Sequence, residues 1–103
     1  MAQFDVYRNP NPATRDTVPY LLDVQADLLE PLTTRVVAPL VKAQVFRAAQ
    51  HLNPSFTIEG EQVIMSTAEL AGVSRRALGE VVGNLRPHRE AIIAALDFLF
   101  TGI

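Results

Sequence analysis

The stretch His88-Arg-Glu-Ala-Ile-Ile-Ala-Ala-Leu-Asp-Phe-Leu-Phe-Thr-Gly-Ile103 is the only segment with strong helical periodicity, and it follows a long run of strand-like sequence. That order limits the fold more than any other feature. Apolar residues recur at Ala91, Ile92, Ala95, Leu96, Leu99 and Phe100, one face of a helix. Ile93 and Phe98 lie off that stripe, so a second apolar face is expected to need cover, from the same domain or from a partner. Gly102 suits the left-handed position just past a helix end. Ile103 puts an apolar residue where a polar tail is usual.

The preceding segments alternate. Phe4 and Val6 oppose Asp5 and Tyr7, and Tyr20, Leu22 and Val24 oppose Leu21, Asp23 and Gln25. Between them, Arg8 to Pro19 carries Pro10, Pro12 and Pro19 among Asn, Thr and Asp and reads as a mobile loop. Asp27-Leu-Leu-Glu-Pro31 reads as a turn holding two leucines. Thr34 to Lys42 is a third strand, in which Pro39 marks an edge or a bulge. Ala43 to Leu52 is a short helix or a loop. Pro54 to Ser66 is a hairpin turning at Glu59-Gly60-Glu61. Strands first and one helix last predict a mainly β, α+β domain: a small antiparallel sheet or partly open barrel with the C-terminal helix packed on it.

A chain of 103 residues suits one domain, 1–103, and its 49% hydrophobic content is enough for a core. With no cysteine there is neither a disulfide framework nor a thiolate metal site. The first seven residues do not read as a signal peptide, and no run reaches the ~18 apolar residues of a membrane span, so a cytoplasmic protein with no membrane partner is expected. The net charge of −2 argues against a surface that grips phosphates.

Ala68 to Asn84 resembles a helix-turn-helix, with Gly72 at the turn, Ser74 as cap, and Arg75 and Arg76 toward a groove. The plainer reading makes Ser66-Thr-Ala-Glu69 a capping box for one helical turn, broken at Gly72. Arg76 to Val82 then returns as a strand with Leu78 and Val82 inward. Glu69 and Glu80 sit where a groove reader wants neutral or basic groups, so the plainer reading is preferred and no sequence-specific nucleic-acid binding is expected. His51 and His88 lack neighbouring ligands, so no metal is expected. Ser55, Ser66 and Ser74 lack a nucleophile signature. Asp23, Asp27 and Glu30 read as a solvated rim around the leucines, with Arg35 pairing weakly to one of them at the surface. No catalytic set and no cofactor are expected. Leu28, Leu29, the spare face of the last helix and Ile103 are the candidates for a protein–protein interface.

Four stretches carry a family resemblance: Gln3-Phe-Asp-Val-Tyr7, Leu22-Asp-Val-Gln-Ala-Asp-Leu-Leu29, Arg35-Val-Val-Ala-Pro-Leu40 and Phe100-Thr-Gly-Ile103. In order and spacing they resemble the CcdB toxin family, together with the 54–65 hairpin and the 85–99 helix. The resemblance implies an SH3-like antiparallel barrel with one C-terminal helix, and a homodimer. It also implies a toxin of a toxin–antitoxin pair that binds the DNA gyrase A subunit and traps the cleaved DNA complex, neutralised by a CcdA-like antitoxin. Carried over by position, the gyrase contact falls on Thr101, Gly102, Ile103, Leu28, Leu29 and Asp97, and the dimer contact on Phe98 and Leu99. The best-known members have Trp at the position of Thr101. The antitoxin is expected at Arg8 to Pro19 and Ala43 to Asn53. The fold is shared by resemblance with endoribonuclease toxins of the MazF and Kid type, for which Arg35 and Asp23 would be the candidates.

Overall fold

A computed structural model describes residues 1–102 of the chain. Among them are seven strands: β1 (Asp5–Arg8), β2 (Tyr20–Asp23), β3 (Thr34–Lys42), β4 (Ser55–Ile58), β5 (Glu61–Met65), β6 (Ala71–Ser74) and β7 (Val81–Asn84). One helix, α1 (Arg89–Thr101), follows. Every pairing is antiparallel, in the order β4-β5-β3-β2-β1-β7, with β6 also paired to β3. The sheet curls into a half-barrel closed on one side by α1, the architecture expected from strands first and one helix last.

β3 is the spine. One edge pairs β2 along Val37–Leu40, while the other is shared, with Leu40–Lys42 on β5 and Thr34–Val37 on β6. Pro39 sits where the partner changes, so this proline lies in an inner strand and not at an edge. Its carbonyl accepts from Ser66 N at 2.9 Å on the side where its own N–H would point. No ladder bond is demanded there, which is why a residue without a donor fits.

The alternation read from β1, β2 and the hairpin is correct on the inner face. Phe4, Val6, Tyr20, Leu22, Phe56, Ile58, Val63 and Met65 are buried together with Ile92 of α1. Full burial of a side chain like Ile92 contributes about 1.5–3 kcal/mol. The helix departs from its periodicity at both ends. Ile92 and Ala95 are buried and Ile93 and Leu96 pack on the core, but Ala91 is exposed and Phe100 is 71% exposed. Phe100 lies about 80° round the helix from Ile92 at 3.6 residues per turn. That direction lies between Leu96 and Ile93, which do pack on the core, so Phe100 is exposed by its place in the last turn of the helix, beyond the last core contact at Leu96, and not by its face.

Residues 67–84 contain neither a helix-turn-helix nor a strand from Arg76 to Val82. A 3-10 turn at Thr67–Glu69 leads into β6, and a second at Arg75–Ala77 separates it from β7. Gly72 does not break anything; it pairs with Val36 in the ladder. Pairing to the exposed edge of β3 overrides the local helical look of the sequence. Ser74 does cap, but its Oγ accepts from Arg76 N at 3.2 Å in a 3-10 turn. Ser66 Oγ bonds the Glu69 carboxylate, so the expected capping box closes side chain to side chain. The 43–52 segment forms a 3-10 turn at Ala43–Val45 and then runs irregularly.

The β4–β5 hairpin turns on Glu59 (φ 51°) and Gly60 (φ 80°), with Ile58 facing Glu61. Two left-handed residues match the twist of the strands, but glutamate is a poor choice for one of them. Its carboxylate offsets this by accepting from the Tyr20 hydroxyl and from Arg8 Nη2, both at 2.8 Å. The Tyr20 bond, seconded by Arg8, holds Glu59 below the usual carboxylate range. Gly79 is needed for another reason: a Cβ there would lie 2.7 Å from the Arg8 carbonyl oxygen.

Both tyrosines are held neutral. Burial, aided by Asp5, raises Tyr7 to about 12, and burial with the Glu59 bond raises Tyr20 to about 12. Unfolded tyrosine titrates near 10. Stability from this source is therefore complete below about pH 10 and is lost as the pH rises through about 12. Tyrosinate absorbance of the native protein should show both groups titrating near the upper value. A native titration centred near pH 10 would contradict the burial described for Tyr7 and Tyr20.

Candidate functional site

The expected contact residues fall into two groups. The first is a 3-10 turn, Asp27–Leu29, between β2 and β3. Leu28 is 91% exposed and Leu29 48%. A turn that shows its leucines to solvent must be held by its polar atoms, and this one is. Gln3 N donates to Asp27 Oδ1 at 2.7 Å, and Arg86 Nη2 lies 3.7 Å from Asp27 Oδ2. Gln25, buried at the end of β2, donates from Nε2 to the Leu29 carbonyl at 3.1 Å. Its Oε1 accepts from Val36 N at 3.0 Å. The exposed apolar surface runs on to Leu32 and Val36. Reading for motifs missed these two, although Leu32 follows Pro31 within the same turn.

The second group is the end of α1. Gly102 takes the left-handed conformation (φ 75°) and its N–H donates to the Phe98 carbonyl at 2.9 Å, as its position implied. Thr101 Oγ1 donates to the Asp97 carbonyl at 2.6 Å, so the hydroxyl is turned back along the helix. Asp97, Thr101 and Gly102 are exposed, Phe98 is 36% exposed and Leu99 is half-buried. The expected site residue Ile103 lies outside the described residues. Phe100 was not singled out as a site residue, yet it is the most exposed aromatic at this end. Through Asp27 the leucine turn also meets Arg86, at the approach to α1, and the helix then carries the chain about 20 Å before Gly102.

α1 does have a second face, but with Phe98 and not Ile93, which packs on the core. Ala91, Ala94 and Phe98 line a groove of about 530 Å³ with His51, Asn53 and Pro54. The His51 and Phe98 rings lie tilted with centroids 6.3 Å apart. The Arg8–Pro19 loop is bonded internally. Asn9 Nδ2 donates to Thr14 Oγ1 at 2.9 Å and to the Val18 carbonyl at 2.8 Å, tying its two arms together.

The acidic rim requires a correction. Asp23 and Arg35 are not a surface pair: both are 0% exposed. Arg35 Nε donates to Asp23 Oδ2 at 2.7 Å, and Asp23 Oδ1 accepts from Gln25 N at 3.0 Å. Two-residue alternation sets Asp23 opposite the core, but that face is closed off as well: Asp23, Arg35 and Tyr7 are all buried. A sealed guanidinium cannot reach a phosphodiester, so Arg35 and Asp23 are not placed for the ribonuclease role considered for them. Glu30 does lie at the surface, 3.3 Å from Arg75 Nη1. Among the described residues, no cluster of three potential metal ligands occurs and no helix is long and apolar enough to cross a membrane. A family model described as CcdB protein matches residues 3–102, nearly the whole chain.

Proposed function

The chain belongs to the CcdB family, toxins of toxin–antitoxin pairs, and from that premise we propose a non-enzymatic poison of DNA gyrase. In this reading a homodimer binds the gyrase A subunit and traps the gyrase–DNA cleavage complex in the cytoplasm, and a CcdA-like antitoxin releases it. The observation that carries the reading is an apolar surface with no fold to serve. Leu28 and Leu29 stand on a turn held rigidly by polar bonds, and Phe100 and Gly102 close an exposed helix end. Exposed leucines and aromatics cost solubility unless a partner covers them. The contact comprises Leu28, Leu29, Asp97, Thr101, Gly102 and Ile103. Phe98 and Leu99 lie at the two-fold, which would join the turn of one protomer to the helix end of its partner. The antitoxin takes the Arg8–Pro19 segment, which forms the β1–β2 connection, and the Ala43–Asn53 segment, which reaches the groove at His51 and Asn53.

Purified gyrase and plasmid DNA test the proposal. Linear plasmid is expected after detergent and protease only when toxin, gyrase and ATP are all present. Cleavage of RNA by the toxin alone, with no linear plasmid, would replace this reading with the ribonuclease one.

A further inference from the structure

Leu28 is almost wholly exposed, yet among the bonds that hold the turn carrying it are those of one buried side chain, Gln25. Gln25 uses its backbone N–H and both polar atoms of its side chain. Its backbone N–H goes to Asp23 Oδ1, its Oε1 takes Val36 N–H, and its Nε2 reaches the Leu29 carbonyl. Asp23 is in turn fixed by Arg35. We propose that Gln25 is a positioning residue for target binding: it transmits the rigidity of the buried Asp23–Arg35 pair to the leucine turn, so that Leu28 and Leu29 are presented preformed. The inference rests on the reading of the leucine turn as the target contact.

The physical case is one of order. A short surface turn bonded only through its own backbone frays readily. Here the internal bonds are Leu29 N to Ala26 O, Glu30 N to Asp27 O and Leu32 N to Leu29 O, each 3.0 Å. None of them ties the turn to a strand. The Gln25 amide does so through Val36 of β3; Asp27 is held by Gln3, just ahead of β1, and the far end of the turn by Arg75, whose Nε donates to the Leu32 carbonyl at 3.0 Å and whose Nη1 lies 3.3 Å from Glu30. Binding by a preformed turn avoids the ordering cost that a loose one would impose on the complex. Replacing Gln25 by Met keeps length and burial but removes both side-chain bonds. It leaves the Leu29 carbonyl free to move and orphans Val36 N–H.

Three measurements test this. In the wild type, backbone relaxation should give the amides of Leu28, Leu29 and Glu30 order parameters of about 0.85, like the strands, and the Gln25 side-chain amide should exchange slowly. Values below about 0.6 for the turn would overturn the inference without any variant being needed. In Gln25→Met, exchange at Leu29, Glu30 and Leu32 should speed up by about tenfold, with Leu22 and Leu40 unchanged, and affinity for the gyrase A fragment should fall by about tenfold. Leu28→Ala should then cost less in the Gln25→Met background than in the wild type, a coupling that a merely stabilising residue would not show. Equal costs in both backgrounds overturn the inference. A Leu28→Ala change without effect on wild-type binding refutes instead the leucine turn as target contact.

Discussion

Removing Thr101, Gly102 and Ile103 is expected to abolish trapping of the gyrase–DNA complex while the protein stays folded. The fold should survive because the described part of this segment bonds only to its own helix. Thr101 Oγ1 meets the Asp97 carbonyl and Gly102 N the Phe98 carbonyl, both within the last turn. The residues that hold α1 to the sheet, Ile92, Ala95, Ile93 and Leu96, all lie upstream. Loss of a helix cap of this kind costs at most about 1 kcal/mol. The binding loss should be much larger. Contacts at the centre of an interface typically cost 2 kcal/mol or more when removed, about thirtyfold in affinity. The truncated protein keeps Phe100, Leu28 and Leu29, so the comparison isolates the last three residues from the rest of the apolar surface. Circular dichroism and gel filtration check the fold and the dimer; titration of the gyrase A fragment and the linear-plasmid yield check function. A truncated protein as potent as the full chain would move the contact to the leucine turn and Phe100.

What could be read in advance followed the strength of the periodic signal. The inner face of the hairpin was legible because Phe56, Ile58, Val63 and Met65 alternate around a Glu-Gly turn, and all four are buried. Gly102 was legible because glycine past a helix end has few other uses. The failures have a common origin: alternation assigns a face but does not say whether solvent or protein lies on it. Alternation sets Asp23 opposite Leu22 and suggests a wet side chain, for it and for its partner Arg35, because nothing local records that this face is closed off. β6 was hidden for the converse reason. Ala71-Gly-Val-Ser74 has little strand propensity of its own and becomes a strand through the open edge of β3 above Pro39. Gln25 gave no signal beyond sitting between Asp23 and the two leucines; its importance is visible only in the three bonds it makes. The candidate site was thus legible where it follows from exposed leucines in a turn, and illegible where it depends on what holds them.

The Asp23–Arg35 pair leads to the other large effect. Asp23→Ala is expected to destabilise the fold by about 3–5 kcal/mol, because it leaves a buried guanidinium without a counter-charge. Against a typical total of about 5–15 kcal/mol, that brings the protein close to unfolding. Arg35→Met in the native background should cost a similar amount, since it strands the Asp23 carboxylate instead. The pair itself need not be a strong net stabiliser. Nη2 lies 2.7 Å from Asp23 Oδ2, but neither Nη1 nor Nη2 makes an aligned hydrogen bond among the described residues. The desolvation of the guanidinium is therefore only partly offset. A reversal of sign follows: Arg35→Met, destabilising on its own, should stabilise the Asp23→Ala background by removing the orphaned charge. The double variant should still fall short of the native protein by about 1–3 kcal/mol, since Gln25 N–H loses its acceptor with Asp23. Urea unfolding of the four proteins gives the cycle directly. Additive effects would mean that the two groups do not depend on each other, and the buried pair would then fail as the anchor from which Gln25 holds the leucine turn.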